Sequence, residues 1–393
     1  MTITLSMIAK KTGFSINTIS RALRDDERLS SETRGKIKSV AEDMGYIRNY
    51  AASSMRSHTS NILGVISADS SNPFFAEVIL GIEETAKLHG YHILLMNTEE
   101  KVKNECDAIK TLTGRQVDGI ISIPVYQDDS LKRMYESLSV PYIFAGRKLF
   151  GLENHSILHS DKESAEEIVD CLIQNGHKKI LYITGPDLIS NSIERLAGYV
   201  QSFKKAGFEI DKDLIIKTNG HIDDGYGAAN SAVKRQLDFT AVVCFNDLVA
   251  MGVLKSLYEN NYSVPSDVEV FGFDNLSISQ YMQPRLSTVD IPKYKLGREA
   301  VLELIQHINN KDLPYEMKNL TTEKTNLVTN STSGVLRAND IKDLIDYVSA
   351  DNFNGDYTEE LFEEFVENII VNSRDELTFN LKCGLSLKEK VVR

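Results

Sequence analysis

Between residues 62 and 274, short runs rich in β-branched and aromatic residues alternate with longer amphipathic runs. This alternation predicts parallel strands joined by crossover helices, because a parallel strand pair needs a connection long enough to hold a helix. A first set of predicted strands covers 62–67, 91–96, 117–124 and 140–146, with helices at 74–89, 103–115 and 129–138. A second set of strands covers 178–184, 214–218, 240–246 and 267–274, with helices near 162–175, 192–206, 224–236 and 247–260. We expect two open α/β lobes and a ligand cleft between them, at the carboxyl ends of the strands.

The first 47 residues have a different pattern, which predicts three short helices. Ile8 lies on the apolar face of the first helix, Gly13 supplies a turn, and Ser15 can cap a second helix that carries Ile19 inward. A third amphipathic stretch begins at Ser30. Three small helices with one shared core are typical of a helix-turn-helix unit, whose second helix enters the major groove of DNA.

The charge of the chain is distributed unevenly. The net charge is -12 over 393 residues, which argues against nucleic-acid binding by the whole surface, yet residues 1–60 hold ten Lys/Arg against six Asp/Glu. The four cysteines lie far apart and form no metal-ligand pattern, so we expect no disulfide, no metal and no cofactor. No apolar run is long enough to cross a bilayer, and the beginning of the chain does not resemble a signal peptide. We therefore expect a cytoplasmic protein with no membrane partner.

The exposed side of the predicted second helix supplies candidate base contacts. Arg21 matches the acceptor pair of guanine, Asn17 matches an adenine edge, and Ile16 can contact a thymine methyl group. Hydroxyl groups near the helix starts are candidates for phosphate contacts, which set register and not sequence. The candidate hydroxyl groups are those of Thr4, Ser15, Thr18, Ser20, Ser30, Thr33 and Tyr46. The alternative is that Asn17 and Arg21 are ordinary solvated helix residues.

Several segments together resemble the lactose-repressor (LacI/GalR) family of bacterial transcription regulators. The resemblance runs from about residue 3 to about 333 and is carried by IAKKTGFSINTISRAL, SSETRGKIKSVAEDMGY, SNPFFAEVILGIEETAKLHGY, DGIIS, RLAGY, FNDLVAMG and FGFDN. It implies an effector-responsive DNA-binding repressor, with a sugar as the expected small-molecule effector and carbohydrate-metabolism genes as the expected target. It also implies a homodimer on a near-palindromic double-stranded operator, because one head covers one half-site.

The same resemblance identifies residues 48–60 as a hinge helix and linker. A short helix of this kind is too weak to persist alone but orders when two copies meet in the minor groove. Asn49 would reach the DNA backbone, Ala52 would allow close approach, and Met55 stands where the family usually has a leucine wedge. The alternative is an ordinary linker.

The resemblance also places effector contacts at eight positions of the two lobes. These candidates are Phe74, Phe75, Arg147, Asn191, Arg195, His221, Asn246 and Asp274. Opposed groups such as Arg195 and Asp274 can bind vicinal hydroxyls, and an aromatic ring can form an apolar wall. Structural alternatives stay open for Phe75 as core and for Arg147 as an ion-pair partner.

Residues 334–393 lie beyond the resemblance and are acidic, with thirteen Asp/Glu against seven Lys/Arg. Their pattern predicts helices near 338–348 and 358–371 and a hairpin at 376–390. Part of this extension weakly resembles the closing segment of large serine recombinases without their catalytic head. We expect an accessory module that assists assembly or caps a lobe.

The predicted fold class is therefore α/β, with a three-helix DNA-binding head, a two-lobed core like the periplasmic binding proteins and an α+β extension. The predicted domains are 1–47, 48–60, 61–333 and 334–393. No nucleophile triad, paired carboxylates with a neighbouring helper, or phosphate-binding glycine loop is found, so we expect no catalytic residues and no enzyme. The main rival is a periplasmic-type solute-binding protein, which would need an export signal and would have no use for residues 1–56. A recombination accessory protein is a more remote alternative.

Overall fold

A computed structural model describes residues 3–46 and 59–320, together with strands at 327–328, 366–373, 376–381 and 386–390. The chain divides into two compact units, one formed by residues 1–61 with 116–118 and the other by the remainder. Residues 48–58 of the predicted hinge helix and linker, and the whole of the predicted helix at 338–348, lie outside the described residues.

Three helices form the head around one small core, as the sequence predicts. They are α1 (Leu5–Thr12), α2 (Ile16–Ala22) and α3 (Ser31–Asp43). Each begins at a hydroxyl cap, because a Ser or Thr oxygen can accept one of the backbone N–H groups that a helix start leaves without a partner. The core consists of Ile8, Ile19, Ala22, Ile37 and Ala41, all buried.

The first lobe is a six-stranded parallel sheet with the order β11-β5-β4-β3-β1-β2. Its strands are β1 (Ile62–Ser67), β2 (His92–Asn97), β3 (Gly119–Ser122), β4 (Tyr142–Ala145), β5 (Ser156–His159) and β11 (Lys318–Leu320). Its helices are α4 (Pro73–Leu88), α5 (Val102–Gly114), α6 (Asp129–Glu136) and α11 (Lys293–Asn309). Asn72 caps α4 by accepting the Phe74 N–H at 3.0 Å, and Pro73 fills the first helical position, where no N–H is needed.

Helices α4 and α11 pack at van der Waals distance because each presents a glycine to the other. A methyl group on Gly81 would lie 2.2 Å from the carbonyl oxygen of Tyr294, and one on Gly297 would lie 2.1 Å from that of Val78. Neither clash can be relieved by a side-chain rotation, since both neighbours are backbone atoms. The return of the chain into the first lobe therefore depends on these two glycines.

The second lobe is a four-stranded parallel sheet with the order β7-β6-β8-β9. Its strands are β6 (Ile180–Ile183), β7 (Ile215–Ile216), β8 (Ala241–Cys244) and β9 (Glu269–Phe271). Its helices are α7 (Asp161–Gln174), α8 (Ser190–Ala206), α9 (Ile222–Lys234) and α10 (Asp247–Glu259). The four strands predicted for this lobe are all present, although each is shorter than its sequence run.

Within the described residues the chain passes between the lobes at two places. It leaves the first lobe between β5 and α7 and returns between β10 (Thr288–Val289) and α11. A further short strand, β12 (Leu327–Val328), pairs antiparallel with β10. The carboxyl ends of the strands of both lobes meet beside these passages and form the walls of the cleft.

The described part of the extension is a three-stranded antiparallel sheet. Its strands are β13 (Val366–Ser373), β14 (Glu376–Leu381) and β15 (Ser386–Lys390), paired in that order. The predicted hairpin at 376–390 is confirmed. The predicted helix at 358–371 is wrong from Val366 onward, because Ile369, Ile370 and Val371 form a β-branched run that pairs with β14.

Candidate nucleic-acid interface and inter-lobe cleft

The outward side of α2 carries the three predicted base contacts. Ile16 is 50% exposed, and Asn17 and Arg21 are also exposed. Ile19, on the same helix, is fully buried in the head core. The core thus holds α2 while its first turns present an apolar, an amide and a guanidinium group to the outside.

A carboxylate lies near Arg21 but is engaged mainly by another arginine. The Nε of Arg21 lies 3.8 Å from the Oδ2 of Asp26. Asp26 in turn accepts two side-chain hydrogen bonds from Arg28, at 2.8 and 2.7 Å, which hold the pKa of its carboxyl far below the usual range. Arg28 therefore takes most of the charge of Asp26, and the Arg21 guanidinium keeps N–H groups for another partner.

The predicted hydroxyl contacts are mostly helix caps. Thr4, Ser15 and Ser30 accept the N–H groups of Met7, Thr18 and Thr33 at 3.4, 3.1 and 3.2 Å. All three capping side chains are exposed at the starts of α1, α2 and α3, where backbone N–H groups also face outward. Of the other predicted DNA contacts, Thr18, Ser20, Thr33 and Tyr46 are partly buried in the head, whereas Asn49, Ala52 and Met55 lie outside the described residues.

Seven of the eight predicted effector residues line one cavity between the lobes. The predicted residues that line it are Phe74, Phe75, Arg147, Asn191, Arg195, Asn246 and Asp274. The cavity has a volume of about 40 Å³, which is room for roughly three water molecules. Ligand sites commonly measure ~300–1,000 Å³. A ligand of the size of a sugar would therefore require the lobes to move apart.

At the back of the cavity, Arg195 on α8 is held by a carboxylate and a carbonyl. Its Nε lies 2.6 Å from the Oδ1 of Asp161, and its Nη1 donates to the carbonyl oxygen of Phe245 at 2.5 Å. Its guanidinium stacks over the ring of Phe273, with 3.7 Å between the guanidinium carbon and the ring centroid. Burial opposes ionisation of Asp161, but the charges of His159 and Arg195 outweigh it and hold the pKa of Asp161 at about 2.

Asp274 shares the same cation but is buried without a close ionic contact. Its Oδ1 lies 3.7 Å from the Nη2 of Arg195, which is beyond hydrogen-bonding distance. Burial raises the pKa of Asp274 to about 8, and the attraction of Arg195 only partly offsets this shift. Asp274 also has a φ of +112°, uncommon for a residue with a side chain. The backbone at Asp274 is therefore strained, and the surrounding structure holds it in the conformation that places this carboxyl at the strand exit.

Arg147 enters the cavity from the first lobe with its charge already matched. It forms a two-point ion pair with Glu100, with Nη1–Oε2 and Nη2–Oε1 distances of 3.0 and 2.9 Å. Its guanidinium carbon lies 5.3 Å from the ring centroid of Phe75. The structural alternative for Arg147 is therefore correct, but it does not exclude ligand contact, because the cavity still reaches the guanidinium.

Two asparagines present oriented amides at the cavity. Both hydrogens of the Asn191 Nδ2 have partners at 3.0 Å, the carbonyl of Gly146 and the Oδ2 of Asp161. Its Oδ1 is buried and, within the described residues, accepts no hydrogen bond. Asn246 caps α10 through its Oδ1, which accepts the Val249 N–H at 2.8 Å. Asn191 therefore offers an acceptor and Asn246 is chiefly structural.

His221 is the predicted effector residue that does not line this cavity. It is exposed at the start of α9, where its backbone N–H donates to the Asp224 carboxylate at 3.2 Å. It is therefore not part of the cavity lining.

Asp247, the first residue of α10, has a structural role. Its buried carboxylate accepts hydrogen bonds from Leu276, Ser279 and Thr288.

Sequence reasoning missed two important carboxylates of the site. Asp161 follows β5, a strand that the sequence reading left out, although SILH at 156–159 has the apolar run of a buried strand. Glu100 lies after β2 in a loop with no motif to mark it. Asn72 and Phe245, which also line the cavity, were missed as well.

The described residues also bear on other classes of site. Within them, no three His, Cys, Asp or Glu side chains are grouped so as to hold a metal ion. Among the described helices, none has the length and apolar character needed to span a bilayer.

Comparisons with known proteins match both units. A family profile described as "Bacterial regulatory proteins, lacI family" matches residues 4–49, and one described as "Periplasmic binding proteins and sugar binding domain of LacI family" matches residues 60–328. The chain is 30% identical to the transcriptional repressor CytR of Escherichia coli K12 over 312 residues, which is 78% of this chain and 90% of that protein. It is 28% identical to the repressor PurR of Vibrio atlanticus over 310 residues, 79% of this chain and 93% of that protein.

Solved structures give the same result. The regulator CelR in complex with cellobiose is 26% identical with a TM-score of 0.62, over 81% of this chain and 96% of that one. The Lac repressor bound to ONPG is 22% identical with a TM-score of 0.75, over 82% of this chain and 97% of that one, and shows the shared fold.

Proposed function

The chain belongs to the LacI family of bacterial regulatory proteins, and we propose that α2 reads an operator while the cavity around Arg195 and Asp274 binds the effector. The observation that carries the proposal is the outward side of α2. There Ile16, Asn17 and Arg21 are exposed, whereas Ile19 of the same helix is buried in the head core. The chain is in this way a transcriptional repressor, as its relatives CytR and PurR are by name, and its targets are carbohydrate or nucleotide metabolism genes.

The head recognises bases and phosphates with different groups. Arg21 donates two hydrogen bonds to a guanine, Asn17 pairs with an adenine edge, and Ile16 packs on a thymine methyl group. The helix starts at Thr4, Ser15 and Ser30 face phosphates with hydroxyl and backbone N–H groups. The hinge around Asn49, Ala52 and Met55 enters the minor groove, where Met55 acts as the apolar wedge.

A dimer supplies the second half-site. Two heads related by a twofold axis match a near-palindromic operator. We place part of the dimer contact on α4, where Leu80 and Leu88 are 47% and 84% exposed. Exposed leucines on one helix are typical of a covered surface in the assembled protein.

The effector acts through the distance between the two lobes. A ligand that binds one arrangement of the lobes more tightly shifts the population toward it. If this shift changes the affinity for the operator by some factor, operator binding changes the affinity for the ligand by the same factor. Residues of both lobes meet at the cavity, Arg147 from the first and Asn191, Arg195 and Asp274 near the second. Binding there is therefore coupled to the lobe arrangement.

A repressor of this kind binds the bacterial chromosome and therefore works in the cytoplasm. Its cleft binds the effector without catalysing a reaction. The rival role, a solute-binding protein, would leave the DNA-binding head without a function.

Operator binding by Arg21→Ala is the direct test. Binding sites are first selected from random duplexes with the full chain, and the affinity for the selected duplex is then measured by fluorescence anisotropy. Arg21→Ala is expected to weaken it at least tenfold, about 1.4 kcal/mol. Arg235→Ala, which removes an exposed arginine of the second lobe paired with Asp213, serves as the control and is expected to bind normally. Equal affinity of the wild type and Arg21→Ala, or no enrichment of any duplex, would contradict the proposal.

A further inference from the structure

The cations around the cleft are already matched with carboxylates or carbonyls. Arg147 is paired with Glu100 and Arg195 with Asp161, both at 3.0 Å or less. At the mouth of the cleft, Lys217 lies 2.7 Å from the Oδ2 of Asp187. Lys148 is paired with Glu194. Lys293 is paired with Glu77 and also donates hydrogen bonds to the backbone carbonyls of Asp274 and Asn275. None of these cations is left over to attract an anionic ligand.

The two arginines that line the cavity are each matched by a carboxylate behind the lining, Arg147 by Glu100 and Arg195 by Asp161. The acid that lines the cavity itself, Asp274, has no cation of its own. A phosphate or carboxylate entering here would approach the Asp274 carboxyl, and it would have to displace an existing ion pair to gain an arginine of its own. In a buried setting such an exchange leaves a charge unpaired, which is costly.

The hydrogen-bonding groups that remain available in the cavity suit an uncharged ligand. Asn191 Oδ1 is a buried acceptor whose orientation is fixed because both Nδ2 hydrogens are used, by Gly146 and Asp161. It needs a donor, which a hydroxyl or N–H group supplies and a phosphate dianion does not. The arginines keep N–H groups beyond those in their ion pairs, and these can serve neutral oxygens. Phe74 adds an apolar wall.

Resting on the proposed effector role of the cleft, we infer that the effector is an uncharged compound rich in hydroxyl groups, such as a free glycoside or a nucleoside, and that its phosphorylated form is rejected. Glu100 is the residue that enforces this choice. It neutralises the arginine that would otherwise face the ligand from the first lobe. The raised pKa of Asp274 agrees with this inference, since a protonated carboxyl can donate a hydrogen bond to a neutral oxygen.

Inorganic phosphate tests the inference without knowledge of the natural effector. Binding to the full chain is measured by titration calorimetry and by thermal shift, with sodium chloride at matched ionic strength as the reference. The wild type is expected to show no phosphate binding, whereas Glu100→Gln, which frees Arg147, is expected to gain it. Glu99→Gln is the matched control, because Glu99 pairs with the exposed Lys101 outside the cavity, and it is expected to behave as the wild type. Phosphate binding by the wild type that disappears in Arg147→Met, or no gain in Glu100→Gln with a normal melting profile, would overturn the inference.

Matched ligand pairs give a second readout. Glucose and glucose 6-phosphate, cellobiose and its phosphorylated form, and adenosine and adenosine monophosphate are compared on the wild type. Any binder is expected to be the neutral member, with at least tenfold weaker binding of its partner. A preference for the phosphorylated member would overturn the inference while leaving the effector role intact. If no neutral member of a broad panel stabilises the chain, the effector role itself fails, and operator binding by the head is untouched.

Discussion

The Oδ1 of Asp161 and the Nε of Arg195 lie 2.6 Å apart, both buried, and this contact joins the start of α7 to the first turns of α8. Asp161 is the first helical residue after the chain passes from one lobe to the other. The same carboxylate accepts from Asn191 and contacts His159. One carboxyl group therefore orients two predicted ligand contacts at once.

Asp161→Asn is expected to destabilise the chain strongly. The substitution removes the charge that matches buried Arg195, and breaking one side of a buried pair typically costs ~3–5 kcal/mol. Urea unfolding followed by circular dichroism measures the change. Arg235→Met, at an exposed pair with Asp213, is the control and is expected to cost less than ~1 kcal/mol. A loss equal to that of the control would mean that the Asp161–Arg195 contact adds little to stability.

Asp274 is expected to make stability depend on pH between about 4 and about 8. Its pKa is raised from 3.8 to about 8 in the folded chain, so in this range the folded state holds a proton that the unfolded state has lost. Stability therefore falls as pH rises through the range, with a slope of up to ~1.4 kcal/mol per pH unit from this group. Asp274→Asn cannot ionise, and its melting temperature is expected to decline less between pH 5 and 8, roughly the range in question. Parallel melting curves of the two proteins across that range would refute the prediction.

Gly81→Ala is expected to loosen the packing of α4 on α11. The added methyl would meet the carbonyl oxygen of Tyr294 at 2.2 Å, so the helices would have to separate. Overpacking of this kind costs ~1–3 kcal/mol. Gly114→Ala is the matched control, because a methyl there meets nothing within 4 Å and a helical Ala is favoured over Gly by ~0.5–1 kcal/mol. Thermal unfolding should therefore show a lower melting temperature for Gly81→Ala and a higher one for Gly114→Ala than for the wild type.

Ser15→Ala is expected to weaken operator binding and head stability together. It removes the oxygen that accepts the Thr18 N–H at 3.1 Å and caps the recognition helix. Loss of such a cap costs ~1 kcal/mol. Chemical-shift changes in α2 and anisotropy with the selected duplex measure the two effects. Ser15→Asp, which restores a capping acceptor, should recover the helix but bind DNA poorly because it adds a negative charge beside phosphates.

Deletion of residues 334–393 is expected to leave operator and effector binding unchanged. The described strands of this extension pair with each other and not with the strands of either lobe. Light scattering and anisotropy of the shortened chain would test this expectation. A monomeric product would show that the extension is required for assembly, which would support the accessory role predicted from its sequence.

Local patterns were sufficient to predict most of the architecture. Short-range features such as the Ser15 cap, the buried Ile19 and the alternation of strands and helices each depend on a few consecutive residues, which is why they are legible in the sequence. Strand β5 and helix α11 were missed. At β13, pairing with β14 decided between a helical and an extended conformation, and such pairing is not a local property.

The candidate site was predicted by its residues but not by its electrostatics. Arg147, Arg195 and Asp274 were identified singly, whereas the partners that determine their charge, Glu100 and Asp161, come from distant parts of the chain. Sequence separation hides such pairs, since Arg147 and Glu100 are 47 positions apart and no spacing rule connects them. His221 is the opposite case. The family resemblance predicted that it contacts the effector, but it is exposed at the start of α9 and does not line the cavity.

The neighbouring passages of the chain between the lobes limit how the halves can move. Two bodies tethered by a single peptide can swivel freely, but here the chain crosses twice, and β10 also pairs antiparallel with the short strand β12. Twisting one lobe against the other would strain both crossings, so we expect opening and closing to be the softer motion. A ligand bound in the cleft is then expected to change chiefly the angle between the lobes.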